Sequence, residues 1–173
     1  MKFSTRARYG LRMMIEFARE LIKDDIVHLG RIAKITGLSE NYLAQLTSPL
    51  KGAGLLIGVS GKKGGYMLGR PAEQIRVGEI IEALIGSIGV TDCVKSSDLC
   101  MNASFCEARM IWALASHSMQ KAFNRFSLAD LVNRERMVEI MKESSDISLF
   151  DPDGVMVRNI EAGKYGQNLK TDR

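Results

Sequence analysis

The segment from Leu29 to Arg70 constrains the fold most, because two short helical patterns joined by a glycine turn run directly into a glycine-tipped alternating stretch. Leu29, Ile32 and Ala33 share one helical face, and Gly37 supplies a left-handed stop. Ser39 is placed to cap a second helix whose inner face is Leu43, Leu46 and Leu50. A helix pair with glycine at its turn reads either as a plain αα-hairpin or as a helix-turn-helix. The next stretch, L-I-G-V-S-G-K-K-G-G-Y-M-L-G-R from Leu56 to Arg70, alternates on both sides of a Gly-Lys-Lys-Gly-Gly tip and predicts a β-hairpin. A hairpin in tandem with a helix-turn-helix is a wing. The expected fold is therefore mainly α with a small β-wing: a winged helix-turn-helix domain plus a long dimerisation helix.

In that motif the second helix lies in the major groove and its exposed N-terminal residues reach the bases. Here those positions are Glu40, Asn41, Ala44, Gln45 and Ser48. Asn and Gln side chains hydrogen-bond bidentately to adenine, which makes Asn41 and Gln45 the best readers of sequence. Lys62 and Lys63 at the wing tip supply charge that releases counterions from a duplex. The charge distribution points the same way, since residues 1–76 carry 13 Lys/Arg against 6 Asp/Glu, whereas residues 77–173 carry 11 against 14. A basic front half suits a polyanion. The candidate DNA-contacting residues are Arg6, Tyr9, Ser39, Asn41, Tyr42, Gln45, Ser60, Lys62 and Lys63.

Around this segment the apolar spacing predicts further helices. Ala7, Leu11, Met14, Ile15, Ala18, Leu21 and Ile22 form the stripe of a first helix, ended by Asp24-Asp25, and Ile26 to His28 reads as extended. Pro71 ends the wing, and Val77, Ile80, Ile81 and Leu84 give a helix that closes the winged domain. Beyond Phe105 a seam of Ala108, Trp112, Ala115, Met119, Ala122 and Phe126 predicts a long helix that pairs across a two-fold axis, and dimers suit palindromic operators. Ser127 and Asp130 form a capping box opening a last helix through Leu131, Val132, Val138 and Met141 to about Glu143. Residues 144–173 carry a Pro-Asp-Gly turn and no helical period, so a flexible tail is expected, with a short hairpin across Asp151 to Gly154 as its one candidate element.

All three cysteines fall between two helical patterns, in T-D-C93-V-K-S-S-D-L-C100-M-N-A-S-F-C106-E-A-R. Structural zinc usually takes four ligands with closer paired spacing, and no His stands within a turn of these thiols. An iron-sulfur cluster accepts wider spacing because its irons bind thiolates at different corners, and three thiolates leave one corner for another ligand. Small core thiols remain an alternative. An odd count argues against disulfides. A thiol or metal enzyme lacks the C-x-x-C pair and the neighbouring base that such chemistry requires.

These residues resemble the Rrf2-type bacterial winged-helix transcriptional regulators, in the branches of the iron-sulfur cluster regulator and the nitric-oxide-sensitive repressor. The likeness runs to about residue 132 and is carried by F-S-T-R-A-R-Y-G-L-R, I-A-K-I-T-G-L-S-E-N-Y-L-A-Q-L, G-K-K-G-G-Y-M-L-G-R-P, V-G-E-I-I-E-A-L, the three cysteines and F-S-L-A-D-L. The resemblance implies a homodimer in which each long helix crosses the other subunit. It also implies an iron-sulfur cluster, 4Fe-4S or 2Fe-2S, held by Cys93, Cys100 and Cys106 and sensing nitric oxide, redox or iron status. Some members place a His three residues after the last cysteine, where this chain has Arg109. Others use an acid from the partner's first helix, in the stretch matching Ser4 to Arg12, where this chain offers only Arg8. The fourth ligand stays unassigned among Asp92, Asp98, Glu107, water and a small molecule. Where members that read the minor groove place an Arg before the wing glycines, this chain has Ser60.

The expected organisation is a winged domain over 1–85, a cysteine-containing loop over 86–106, dimerisation and closing helices over 107–143, and the tail over 144–173. No apolar run reaches bilayer length and the start lacks a signal-peptide core, so a cytoplasmic location without membrane attachment is expected. The expected function is a homodimeric DNA-binding repressor controlled by its cluster. The alternative is a regulator of the same fold without a cluster, controlled by thiol oxidation or a partner protein.

Overall fold

In the computed structural model, which describes residues 4–61, 63–96, 98 and 106–143, helix α1 spans Thr5–Leu21. Ser4 caps it, its Oγ accepting from the Ala7 amide at 3.2 Å. The buried face is Ala7, Gly10, Met13, Met14, Phe17 and Ala18. That corrects the expected stripe, because Leu11, Ile15 and Leu21 are only half-buried and Ile22 is 75% exposed. The cause is Gly10. A Cβ there would collide with Leu84 of the fourth helix, so the closest approach runs through a residue that contributes no apolar side chain. At the other end the buried Glu20 carboxylate pairs with Lys23 at 3.0 Å and with Arg31.

Helices α2, Leu29–Thr36, and α3, Glu40–Gly52, follow. Gly37 adopts φ 72° between them, the left-handed conformation the sequence predicts there. Ser39 caps α3, its Oγ accepting from the Tyr42 amide at 3.3 Å. Leu43, Leu46 and Leu50 are fully buried, each contributing about 1.5–3 kcal/mol of hydrophobic stabilisation. With Met13, Met14, Phe17, Ile32, Leu55, Leu56, Ile75 and Ile80 they form the core.

Strands β1, Leu56–Val59, and β2, Gly65–Leu68, make the antiparallel wing in the register Leu56 to Leu68, Ile57 to Met67, Gly58 to Tyr66 and Val59 to Gly65. Val27 joins them. Its amide donates to the Tyr66 carbonyl at 2.9 Å and the Tyr66 amide donates back at 2.8 Å, which accounts for the extended Ile26 to His28 segment. A 3₁₀ turn at Ala72–Gln74 leads into α4, Val77–Ile85, whose Val77, Ile80, Ile81 and Leu84 are buried. The chain is mainly helical with a two-stranded wing: a winged helix-turn-helix.

Helix α5, Asp92–Lys95, is one turn long, and α6 spans Glu107–Arg125. Helix α6 packs along one side against α4 and the segment that follows it. The Val90 amide donates to the buried Ser116 Oγ at 3.0 Å, which itself donates to the Trp112 carbonyl at 2.7 Å. Gln120 Nε2 reaches Glu82 Oε1 of α4 at 2.7 Å. Of the expected seam, Ala115 and Met119 are half-buried beside this packed side, while Ala108, Trp112 and Ala122 are exposed, and next to the seam Met110 and Leu114 are 71% and 63% exposed.

Ser127 precedes α7, Leu128–Val132, and α8 spans Arg134–Glu143. One closing helix was expected, and the chain forms two. Asn133 breaks them apart because its Oδ1 accepts from the Arg136 amide at 3.0 Å, starting a new helix there. The chain divides into two compact units, Met1–Ala129 and Asp130–Arg173. The expected tail hairpin and Cys100 lie outside the described residues, as does Lys62. Among the described residues no helix is long and apolar enough to cross a membrane.

Candidate nucleic-acid interface and cysteine segment

Burying Leu43, Leu46 and Leu50 turns the opposite side of α3 outward, and Glu40, Asn41, Ala44, Gln45 and Ser48 are all exposed. Apart from Ala44 that row is polar, and it carries both an amide donor and an amide acceptor at Asn41 and Gln45, the groups that match adenine. Glu40 differs from its neighbours in having an intramolecular task. Its carboxylate oxygen lies where a Cβ on Gly30 would meet it at 2.9 Å, against the first turn of α2, where a negative charge is favourable.

The first helix reaches the same place. Tyr9 and Tyr42 are half-buried and meet edge to face with 6.1 Å between ring centroids, and the Arg8 guanidinium lies 5.5 Å from the centre of the Tyr9 ring. Arg6 and Arg8 are both exposed on this first part of α1. The arrangement sets cationic side chains on the helix whose Tyr9 touches the start of α3. Arg8 was not among the predicted contacts. Its pairing with Tyr9 joins adjacent residues through ring geometry, which helical periodicity does not encode.

The wing is tied to α3 by Tyr66. Its hydroxyl lies 3.4 Å from Thr47 Oγ1, its ring packs against Phe17 at 5.8 Å, and its backbone pairs with Val27. Thr47 and Tyr66 were both missed as positioning residues, since in the sequence one is a helix residue and the other an ordinary strand residue. At the tip Gly61 has φ 110° and the Gly64 amide donates to its carbonyl at 2.8 Å. Ser60 and Lys63 are exposed there.

Where the wing returns to α4, Arg70 Nη2 donates to Glu79 Oε1 at 2.8 Å, and the other carboxylate oxygen accepts from the Arg76 amide, also at 2.8 Å. Partial burial pushes the Glu79 carboxyl up. The Arg76 amide bond, the Arg70 hydrogen bond and the charges of both arginines outweigh it and hold the group below the ordinary carboxylate range.

Cys93 lies in α5 and Cys106 immediately precedes α6, and both are half-buried free thiols. Thr91 Oγ1 is 3.2 Å from Cys93 Sγ. Arg109 links the two ends of the segment. Its Nε donates to the Cys93 carbonyl at 2.9 Å and its amide to the Cys106 carbonyl at 3.1 Å. Among the acids considered as a fourth ligand, Asp92 is exposed and pairs with Lys95 at 3.1 Å, and Asp98 and Glu107 are exposed. Among the described residues no three His, Cys, Asp or Glu side chains come together as a metal site. The two described thiols fit an iron-sulfur centre in chemistry and in partial shelter.

Comparison with known proteins agrees with this geometry. The Rrf2 family model, described as an iron-dependent transcriptional regulator, matches residues 3–134. The chain is 36% identical over 132 residues to Protein rrf2 of Nitratidesulfovibrio vulgaris, covering 76% of this chain and 87% of that protein. It is 31% identical over 171 residues to the HTH-type transcriptional regulator IscR of Vibrio parahaemolyticus, covering 99% and 100%. Among solved structures, CymR (YrzC), the global cysteine regulator of B. subtilis, superposes with a TM-score of 0.62 at 35% identity, covering 76% of this chain and 96% of that one. T. potens IscR superposes with a TM-score of 0.61 at 33% identity, covering 76% and 86%.

Proposed function

This chain belongs to the Rrf2 family of DNA-binding transcriptional regulators, and we propose that it is a homodimeric repressor whose grip on a palindromic operator is set by an iron-sulfur cluster at Cys93, Cys100 and Cys106. Asn41 and Gln45 read bases, Arg6, Tyr9, Ser39, Tyr42 and Ser60 position the duplex, and Lys62 and Lys63 contact phosphates. Two subunits pair through the exposed apolar side of α6, where Met110, Ile111 and Leu114 lie on one face.

One observation carries the regulatory part. Cys106 stands directly before the first turn of α6, and the next turn presents that apolar face to solvent. Whatever holds or releases the thiolates acts on the start of the pairing helix. When bound, a cluster supplies iron that reacts with oxygen or nitric oxide at a replaceable ligand position. The chain's own residues hold it, shelter it and carry its state into α6.

The test uses full-length protein purified anaerobically, with iron and sulfide measured per chain. Holoprotein and chelator-stripped protein are titrated against a duplex selected from a random pool, at fixed ionic strength. Affinities that differ by about tenfold or more are expected, within the usual range for coupled sites. Equal affinities overturn the sensor reading and leave the DNA-binding one in place.

A second reading has its own support. The likeness to CymR, named a cysteine regulator, favours a regulator without a cluster that responds through a partner protein or by oxidation of thiols such as the half-buried Cys93 and Cys106. Protein free of iron and sulfide, whose DNA affinity changes on mild oxidation, selects it.

A further inference from the structure

Arg109 is the one described side chain with a hydrogen bond into the Cys93 backbone from the helix that Cys106 begins. Three features define what it does. The bond from Nε to the Cys93 carbonyl, at 2.9 Å, spans a sequence separation of sixteen residues. The Arg109 amide donates to the Cys106 carbonyl at 3.1 Å, the ordinary first-turn bond of α6, so the side chain springs from the turn that Cys106 opens. The side chain is half-buried, and its planar guanidinium carries the Nε–H in a rigid frame.

We propose that Arg109 is the positioning residue of the cysteine centre, holding the segment that carries Cys93 at a fixed offset from Cys106 before any cluster is present. This rests on the reading of the cysteines as one centre. Arg109 does not ligate iron; its side chain acts through the Cys93 carbonyl, from the helix that Cys106 opens. Because it belongs to α6, the strap also joins the Cys93 turn to the pairing helix. A strain at Cys93 is thereby delivered to the first turns of α6. Ser116, two turns on, fixes the Val90 amide at 3.0 Å, so the segment leading to Cys93 is pinned to α6 at both ends.

The test measures separation in the apoprotein and retention in the holoprotein. In full-length reduced protein carrying Cys100→Ser, the remaining thiols are cross-linked with dibromobimane and its fluorescence followed. The rate is normalised to single-thiol alkylation. Losing a charged donor to a carbonyl predicts that Arg109→Ala slows cross-linking by about tenfold, and Arg109→Lys restores part of it. In the protein with all three cysteines, the half-life of the anaerobic visible absorbance under a chelator shortens by about the same factor. A far-UV melting curve checks folding; if Arg109→Ala does not fold, Arg109→Gln takes its place in both measurements. Cross-linking at the wild-type rate in the alanine or glutamine variant overturns the proposal. If wild-type protein holds no iron but cross-linking still depends on Arg109, the positioning role stands and the cluster reading falls. If a cluster forms and neither rate changes, the reverse holds.

Discussion

The rings of Tyr9 and Tyr42 meet edge to face, interplanar angle 88°, and so fasten the first helix of the chain to the opening turn of α3. Such a pair contributes about 0.5–1.5 kcal/mol beyond its buried area. A double-mutant cycle of Tyr9→Ala and Tyr42→Ala, read by urea denaturation, is expected to return a coupling of that size. Tyr9→Ala is also expected to lower affinity for all duplexes alike, by fluorescence anisotropy, because Arg6 and Arg8 lose their placement beside α3.

Base reading and phosphate contact separate experimentally. Gln45→Ala is expected to relax preference at one position of the operator by about 1–3 kcal/mol. Lys63→Ala should weaken binding uniformly and flatten the salt slope by about one unit. Binding curves over a range of salt, on cognate and singly changed duplexes, distinguish the two.

Glu79 gives a pH signature. Its folded carboxyl sits below the ordinary range, so its contribution is complete above the unfolded value and is lost as pH falls through the folded one. Glu79→Gln keeps an acceptor for the Arg76 amide but loses the ion pair with Arg70. As that pair is 35% and 39% exposed, the loss near neutrality is expected to be small, about 0.5 kcal/mol after solvent screening. Denaturation curves for wild type and variant should converge at acid pH; a constant gap would contradict the assignment.

Ser116→Ala removes the acceptor of the Val90 amide in a part-buried setting, where the lost bond costs about 0.5–1.5 kcal/mol. The expected result is a lower denaturation midpoint with unchanged slope.

Leu114→Glu places a charge in the exposed apolar face of α6. It should leave the monomer's fold intact, since the side chain is mostly in solvent already. Light scattering after size exclusion is expected to show the wild type as a dimer and the variant shifted to monomer, with weaker operator binding.

The sequence made some elements legible and hid others for definite reasons. Helix α3 could be read because Gly37, Ser39 and three leucines each specify the same boundary and face. The face of α1 could not, because its tightest contact runs through Gly10, which a search for large apolar residues passes over. The break at Asn133 was invisible in the apolar period but is a capping residue in plain view once α8 is seen to start there. For the cysteines, spacing showed that a thiol-bearing segment existed. The Arg109 bond to Cys93 joins residues sixteen apart through a carbonyl, and no residue pattern records that. The role of Tyr66 was hidden in the same way, since only the folded chain brings Thr47, Phe17 and Val27 around it.

The stitching of Val27 to Tyr66 changes how the molecule can accommodate a curved or widened groove. A hairpin joined to its domain only at its two ends would flap; this one is also pinned at Tyr66 of its return strand to Val27 in the link between α1 and α2. Adaptation to a given duplex is therefore left to the few residues beyond Val59. A longer or shorter turn after Asp25 would retune the angle of the whole finger without altering any of the proposed DNA-contacting residues.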